Sequence, residues 1–177
     1  MWRNTALWAL ILAVAVFRLL PHPPNFTPVL ALALFGGAQF RDRLSAWAAP
    51  LAAMGLSDLV LGMHASWAWV YGALLLNVFL ARASLRARRG PGRLLVVTLC
   101  GSTLFFLLTN FGAWATLPQL YGRDAAGLLE AYVAGLPFWR NALAGDLVFT
   151  FALFGLWHAA ERRWPVLAGG RTAALAS

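Results

Sequence analysis

The sequence predicts an all-α integral membrane protein: a six-helix bundle with both termini in the cytoplasm. Hydrophobic residues make up 61% of the 177-residue chain and charged residues only 11%. A soluble protein of this size could not bury so much apolar surface, so lipid has to be its solvent. The apolar residues also form long runs separated by short arginine-containing loops, which is the pattern of a multi-pass protein.

The first predicted span, residues 2–20, resembles a signal peptide at its start. Its apolar run nevertheless continues to about 19 residues, close to the ~20 that cross a bilayer, so we expect a retained helix. The second, 28–40, rises only about 20 Å against a hydrocarbon core of about 30 Å. Either the proline-rich stretch before it enters the protein, or this short helix lies inside a ring of longer ones. The other spans are predicted at 46–63, 67–81, 94–114 and 140–160.

The connection between the fifth and sixth helices, residues 115–139, shows apolar residues at helical spacing after Asp124, a residue that favours helix starts. We predict a separate amphipathic helix that lies over the outer mouth. Residues 1–160 would then form the membrane domain, and 161–177 a disordered cytoplasmic tail.

The orientation is predicted from arginine placement. If the spans alternate in direction, 11 of the 14 arginines fall on one side, which is therefore the cytoplasm of a bacterial-type inner membrane. These residues are Arg3, Arg41, Arg43, Arg82, Arg86, Arg88, Arg89, Arg93, Arg162, Arg163 and Arg171.

Polar residues within the spans concentrate in the outer half. Counted from the outward helix ends at about 1.5 Å per residue, Asp58 lies about 8 Å deep, Asn110 about 6 Å and Asp146 about 9 Å. Because polar groups are costly in a membrane, this asymmetry predicts a cavity open to the outside and closed below. The predicted binding residues are Arg18, Asn25, Asp58, Asn110, Trp114, Arg140, Asn141 and Asp146, with His64 also at the rim.

Two alternatives remain open for this cluster. Arg18 or Arg140 could pair with Asp58 or Asp146 as buried structural pairs, which would not exclude a ligand beside them. Asp58 and Asp146, at matching depth, could instead form the acid and base of a small intramembrane enzyme.

Other chemistries have little support. The sequence lacks a phosphate-binding glycine loop, a His-Glu metal motif and a serine elbow, and Cys100 is the only cysteine. His22 and His64 fit exposed loop histidines better than metal ligands. We therefore expect neither an enzyme nor a bound metal or cofactor.

Three stretches resemble the substrate-binding S components of energy-coupling factor (ECF) transporters, in an uncharacterised branch. They read PVLALALFGGAQFRDRLSAWAAPLAAMGLSDLVLG (28–62), TNFGAW (109–114) and PFWRNALAGDLVFTFALFG (137–155). The resemblance covers most of residues 10–157 and implies a six-helix subunit that captures a vitamin-like nutrient from outside.

The resemblance also implies partners. In that family the first helix docks through an Ala-xxx-Ala surface on a transmembrane coupling protein, which is driven by two ABC-type ATPases; Ala9 and Ala13 are the matching positions. The nickel and cobalt members carry an N-terminal histidine motif that this chain lacks, which argues against a metal substrate. The two rim arginines and nearby aromatic residues predict an anionic, planar substrate. A structural or assembly protein of the membrane, with no ligand cavity, is the main alternative.

Overall fold

The computed structural model describes residues 2–63 and 65–168, and within them every regular element is helical. His64 and the last part of the predicted tail, 169–177, lie outside the described residues. The helices are α1 (Trp2–Ala15), α2 (Val29–Gln39), α3 (Arg43–Leu61), α4 (Trp67–Leu85), α5 (Pro91–Thr116), α6 (Ala125–Arg163) and α7 (Pro165–Ala168), with a 3-10 turn at Val16–Leu19 that extends α1.

Five helices of the described chain are long and apolar enough to cross a membrane. They are α1 with its 3-10 extension, α3, α4, α5 and α6. Many of their large apolar side chains face outward, such as Leu59 at 82% and Val60 at 69% exposure. Since water would not tolerate such a surface, these helices indicate a multi-pass membrane protein.

The short helix α2 is the centre of the bundle. From Leu30 to its last residue, Gln39, every residue of α2 is buried, and the helix contacts α1, α3, α4, α5 and α6. Gly37 allows the closest of these approaches, because a Cβ there would meet the backbone of Val78 in α4. The second of the two expectations for this short segment is confirmed: it lies inside a ring of longer helices.

Arginine side chains donate hydrogen bonds to the carbonyls at the buried C-terminal end of α2. Arg3 donates to the Gln39 carbonyl at 2.8 Å, and Arg89 donates to the Ala38 carbonyl at 2.8 Å. Arg3 also lies 3.9 Å from Glu161 near the end of α6. The last carbonyls of a helix have no partner within the helix, so these arginines supply the missing donors. We call this the arginine end of the bundle.

The predicted amphipathic outer helix differs from the structure. Residues 125–139 are not a separate element but the first part of α6, which runs 39 residues through Pro137. A helix-interior proline removes one hydrogen bond and usually bends the helix, but here it does not end it. The predicted cap is confirmed: the Asp124 side chain accepts from the Gly127 N–H at 2.8 Å.

The chain also stays helical beyond the predicted end of the membrane domain. α6 extends to Arg163, and α7 adds one turn that packs against α6 and α1. Only the remainder of the predicted tail falls outside the described residues.

Candidate functional site

A cavity of about 350 Å³ lies between the helices at the end of the bundle opposite the arginine end. It is bounded by the proline-rich loop (residues 21–28), the N-terminus of α2 and the facing sides of α3 to α6. Its lining residues are Arg18, Asn25, Thr27, Val29, Leu30, Met54, Val70, Phe105, Thr109, Ala142 and Asp146. Three predicted site residues, Arg18, Asn25 and Asp146, are therefore brought together.

Arg18 reaches the cavity from the end of the first span, and Asp58 neutralises it. The Arg18 Nη1 atom lies 2.6 Å from the Asp58 Oδ1 atom and also donates to the Ser57 hydroxyl at 2.5 Å. Tyr71 on α4 donates to the other carboxylate oxygen of Asp58 at 2.9 Å. Asp58 is thus a structural partner of Arg18 and is not itself a lining residue, which matches the pairing alternative.

Asp146 has a different environment. It is only 6% exposed, lines the cavity, and has no basic nitrogen of the described residues within 4.0 Å. Ser102 on α5 is close enough to interact with the carboxylate, although its Oγ atom makes no hydrogen bond of good geometry. The cavity therefore contains a buried acidic group without a cationic partner in the described chain.

A layer of polar atoms continues below Asp146 toward the middle of the bundle. Thr150 Oγ1, one turn further along α6, and Asn77 Oδ1 on α4 are both buried without a hydrogen-bond partner in the described chain. Asn77 lies against Gly101 of α5, where a Cβ would collide with its side chain. The contact between α4 and α5 is thus tightly packed at Asn77.

The proline-rich loop is fixed to α6 on one side of the cavity. Asn141 Nδ2 donates to the Pro24 carbonyl at 3.2 Å, and the rings of Phe26 and Phe149 pack with centroids 5.6 Å apart. Asn25 has φ 62°, the left-handed conformation that asparagine tolerates better than most residues. Asn141 therefore positions the loop that carries Asn25, rather than lining the cavity.

The three remaining predicted residues lie elsewhere. Asn110 donates to the Phe106 carbonyl at 2.8 Å and packs against Gly135 of α6, while Trp114 donates to the Gly122 carbonyl at 2.8 Å. Arg140 is exposed on α6 and does not line the cavity. Asn110 and Trp114 thus join α5 to α6 and to the loop between them.

A family model matches residues 1–167, nearly the whole chain. The chain belongs to DUF6580, a family of unknown function. No curated protein and no solved structure matches this DUF6580 protein.

Sequence reasoning missed several lining residues of the DUF6580 protein because it did not settle which face of α5 points inward. Phe105 and Thr109 are four residues apart and share the inward face, whereas Asn110 is rotated by about 100° from Thr109. The same four-residue spacing relates Ala142 to Asp146 on α6. In TNFGAW the sequence predicts Asn110 as a binding residue, but its neighbour Thr109 lines the cavity.

Proposed function

We propose that this DUF6580 protein is the substrate-capture subunit of an ECF-type ABC transporter and binds a small, vitamin-like nutrient at its outer face. The observation that carries the proposal is the cavity of about 350 Å³, whose wall contains a buried carboxylate with no cationic partner among the described residues. Ligand pockets commonly measure about 300–1,000 Å³, so this cavity suits a compact molecule. A buried ionisable group in a membrane helix is costly, and such groups commonly mark functional sites.

The orientation of the cavity supports uptake rather than export. The cavity lies at the end of the bundle away from Arg3, Arg82 and Arg89, which gather around the C-terminus of α2. Basic residues favour the cytoplasmic side of a membrane. With the arginine end in the cytoplasm, both helical termini lie there and the cavity faces outward.

The surface of α1 supports docking on a membrane partner. Ala9 and Ala13 are both exposed on the outside of the bundle, on a face shared with Thr5 and Val16. Small residues four apart let another membrane helix approach closely. We propose that this face contacts the transmembrane coupling protein, which in turn carries the two ABC-type ATPases.

The structure favours capture over the two alternatives. An assembly protein was expected to have a packed outer half, yet a cavity of ligand size is present there. An acid–base pair would need Asp58 free to face Asp146, yet the Asp58 carboxylate accepts hydrogen bonds from Arg18 and Tyr71 and is only 3% exposed. This engagement of Asp58 by Arg18 and Tyr71 argues against an acid–base pair with Asp146.

The proposal is tested by identifying what the protein carries. The full-length chain is purified in nanodiscs, and small molecules released on denaturation are identified by mass spectrometry. We expect one compound at about one molecule per chain, lost in Asp146→Ala and in Ala142→Phe, which fills the cavity from α6. Asp124→Asn, an acid-to-amide change at the exposed cap of α6, is the matched control and should retain the compound.

Two results would contradict the proposal. One is a purified protein that carries no stoichiometric compound after growth in rich medium. The other is a compound that remains bound when Ala142→Phe blocks the cavity, because it would then occupy another site.

A further inference from the structure

We infer that the ligand carries a protonated nitrogen that binds the Asp146 carboxylate, so the cavity selects small organic cations over anions. This inference rests on the proposed function and narrows its substrate class. It replaces the sequence-based expectation of an anionic ligand, which depended on two rim arginines facing a common site.

The charged groups that line the cavity do not all have a counterpart among the described residues. Arg18 and Asp58, 2.6 Å apart, cancel each other, and Arg140 is exposed on α6 away from the lining. Asp146 is then the one lining group of the described chain whose charge has no counterpart. The empty cavity carries a net charge of about −1 when this carboxylate is ionised, and a monovalent cation would neutralise it.

The position of Asp146 also points to a ligand as its partner. Asp146 is only 6% exposed yet lies in the cavity wall, so a ligand is the partner best able to compensate its carboxylate. Ser102 and Thr150 provide hydroxyl oxygens near and below it and no cation. An ammonium, amidinium or ring N–H donor would form a charge-assisted hydrogen bond with this carboxylate.

The remaining walls define the rest of the molecule. Met54, Val70 and Phe105 present apolar surface, which suits a ring or short hydrocarbon body. The N-terminus of α2, at Val29, brings the positive end of a helix dipole to the lining, to which Arg18 also belongs. An uncharged hydrogen-bond acceptor on the ligand would fit there, at a site separate from the protonated nitrogen.

Three planar probes of nearly equal size isolate the effect of charge: benzamidinium, benzamide and benzoate. Their binding to unloaded full-length protein in nanodiscs is measured by calorimetry and by ligand-induced thermal shift. We expect benzamidinium to bind most tightly and benzoate not to bind. In Asp146→Asn the affinity for benzamidinium should fall by roughly 10- to 100-fold, the effect of losing one charge-assisted hydrogen bond, while benzamide should change little. Asp124→Asn, which removes the same charge outside the cavity, should behave like the wild type.

The outcomes separate this inference from the proposed function. Preference for benzoate, no binding of benzamidinium, or a benzamidinium preference that persists in Asp146→Asn would each overturn the inference. A co-purified compound without a basic nitrogen would also overturn it while leaving the capture function intact. Absence of any co-purified compound, together with Asp146-dependent binding of benzamidinium, would support the charge assignment and contradict the capture function.

Discussion

Breaking the Arg18–Asp58 pair should destabilise the bundle more than any other single polar change in the half of the bundle away from the arginine end. The pair joins the end of the first span to α3 at 2.6 Å, and Tyr71 ties the same carboxylate to α4 at 2.9 Å. The Asp58 side chain is only 2% exposed and that of Arg18 17%. Asp58→Leu would therefore leave the largely buried Arg18 guanidinium without its carboxylate, with Ser57 and Met54 as its remaining partners.

The expected magnitude follows from this burial. Removing one partner of a buried ion pair costs about 3–5 kcal/mol, because the other charge is left without compensation. At roughly 2–4 °C per kcal/mol for a chain of this size, the midpoint of thermal unfolding should fall by roughly 6–20 °C. An ordinary hydrogen bond between membrane helices is worth only about 0.6 kcal/mol. The loss expected for a broken buried ion pair is therefore several times larger than the loss expected for a hydrogen bond alone.

A double-mutant cycle measures the pair directly. Thermal unfolding is followed in one fixed detergent for Asp58→Leu, Arg18→Met and the double variant. We expect the double variant to be more stable than either single variant, because replacing both charges by apolar side chains removes the uncompensated one. Additive losses in the double variant, or a coupling energy below about 1 kcal/mol, would refute the idea that the pair acts as a buried unit.

Three further predictions test the fold and its orientation. Gly37→Ala should reduce stability in the same detergent by roughly 1–3 kcal/mol, because the new Cβ meets the backbone of Val78. Gly72→Ala, which has open space around it, should instead increase stability by roughly 0.5–1 kcal/mol, and equal effects of the two variants would contradict the close packing of α2 on α4. Asp124→Ala should cost about 1 kcal/mol and speed hydrogen exchange in the first turn of α6, whereas Asp124→Asn should keep the cap; similar exchange in both would show that the cap contributes little. A fluorescent protein fused to the C-terminus should fluoresce and alkaline phosphatase there should be inactive, and the reverse result would invert the orientation.

The helices could be predicted well because hydrophobic length decides them. The spans predicted at 67–81 and 94–114 correspond to Trp67–Leu85 and Pro91–Thr116, which differ from the predictions mainly by a few residues at the ends. The central position of α2 was one of two explanations for its shortness, and only packing could choose between them. The continuation of α6 through Pro137 could not be predicted, since proline usually indicates a boundary and tertiary contacts determine whether it becomes one.

The site was predicted only in part, for a geometric reason. Depth along a helix follows from residue counting, so Asp58 and Asp146 could both be predicted in the half of the bundle away from the arginine end. Direction around the helix requires knowledge of the neighbours, so the sequence could not distinguish Asp58, which faces Arg18, from Asp146, which faces the cavity. Asn110 and Trp114 were chosen because they are polar or aromatic at the correct depth, yet the structure uses them to join α5 and α6.

The burial of α2 by five neighbours has a consequence for how the protein is made. Its 11 residues extend only about 16 Å, too short for a segment that must enter the bilayer on its own as it leaves the ribosome. Its carbonyls at Ala38 and Gln39 also need donors from α1 and from Arg89, which is synthesised some fifty residues later. The helix α2 therefore cannot reach its final environment until the chain has been made as far as Arg89, and chains truncated before residue 89 should fail to hold it there.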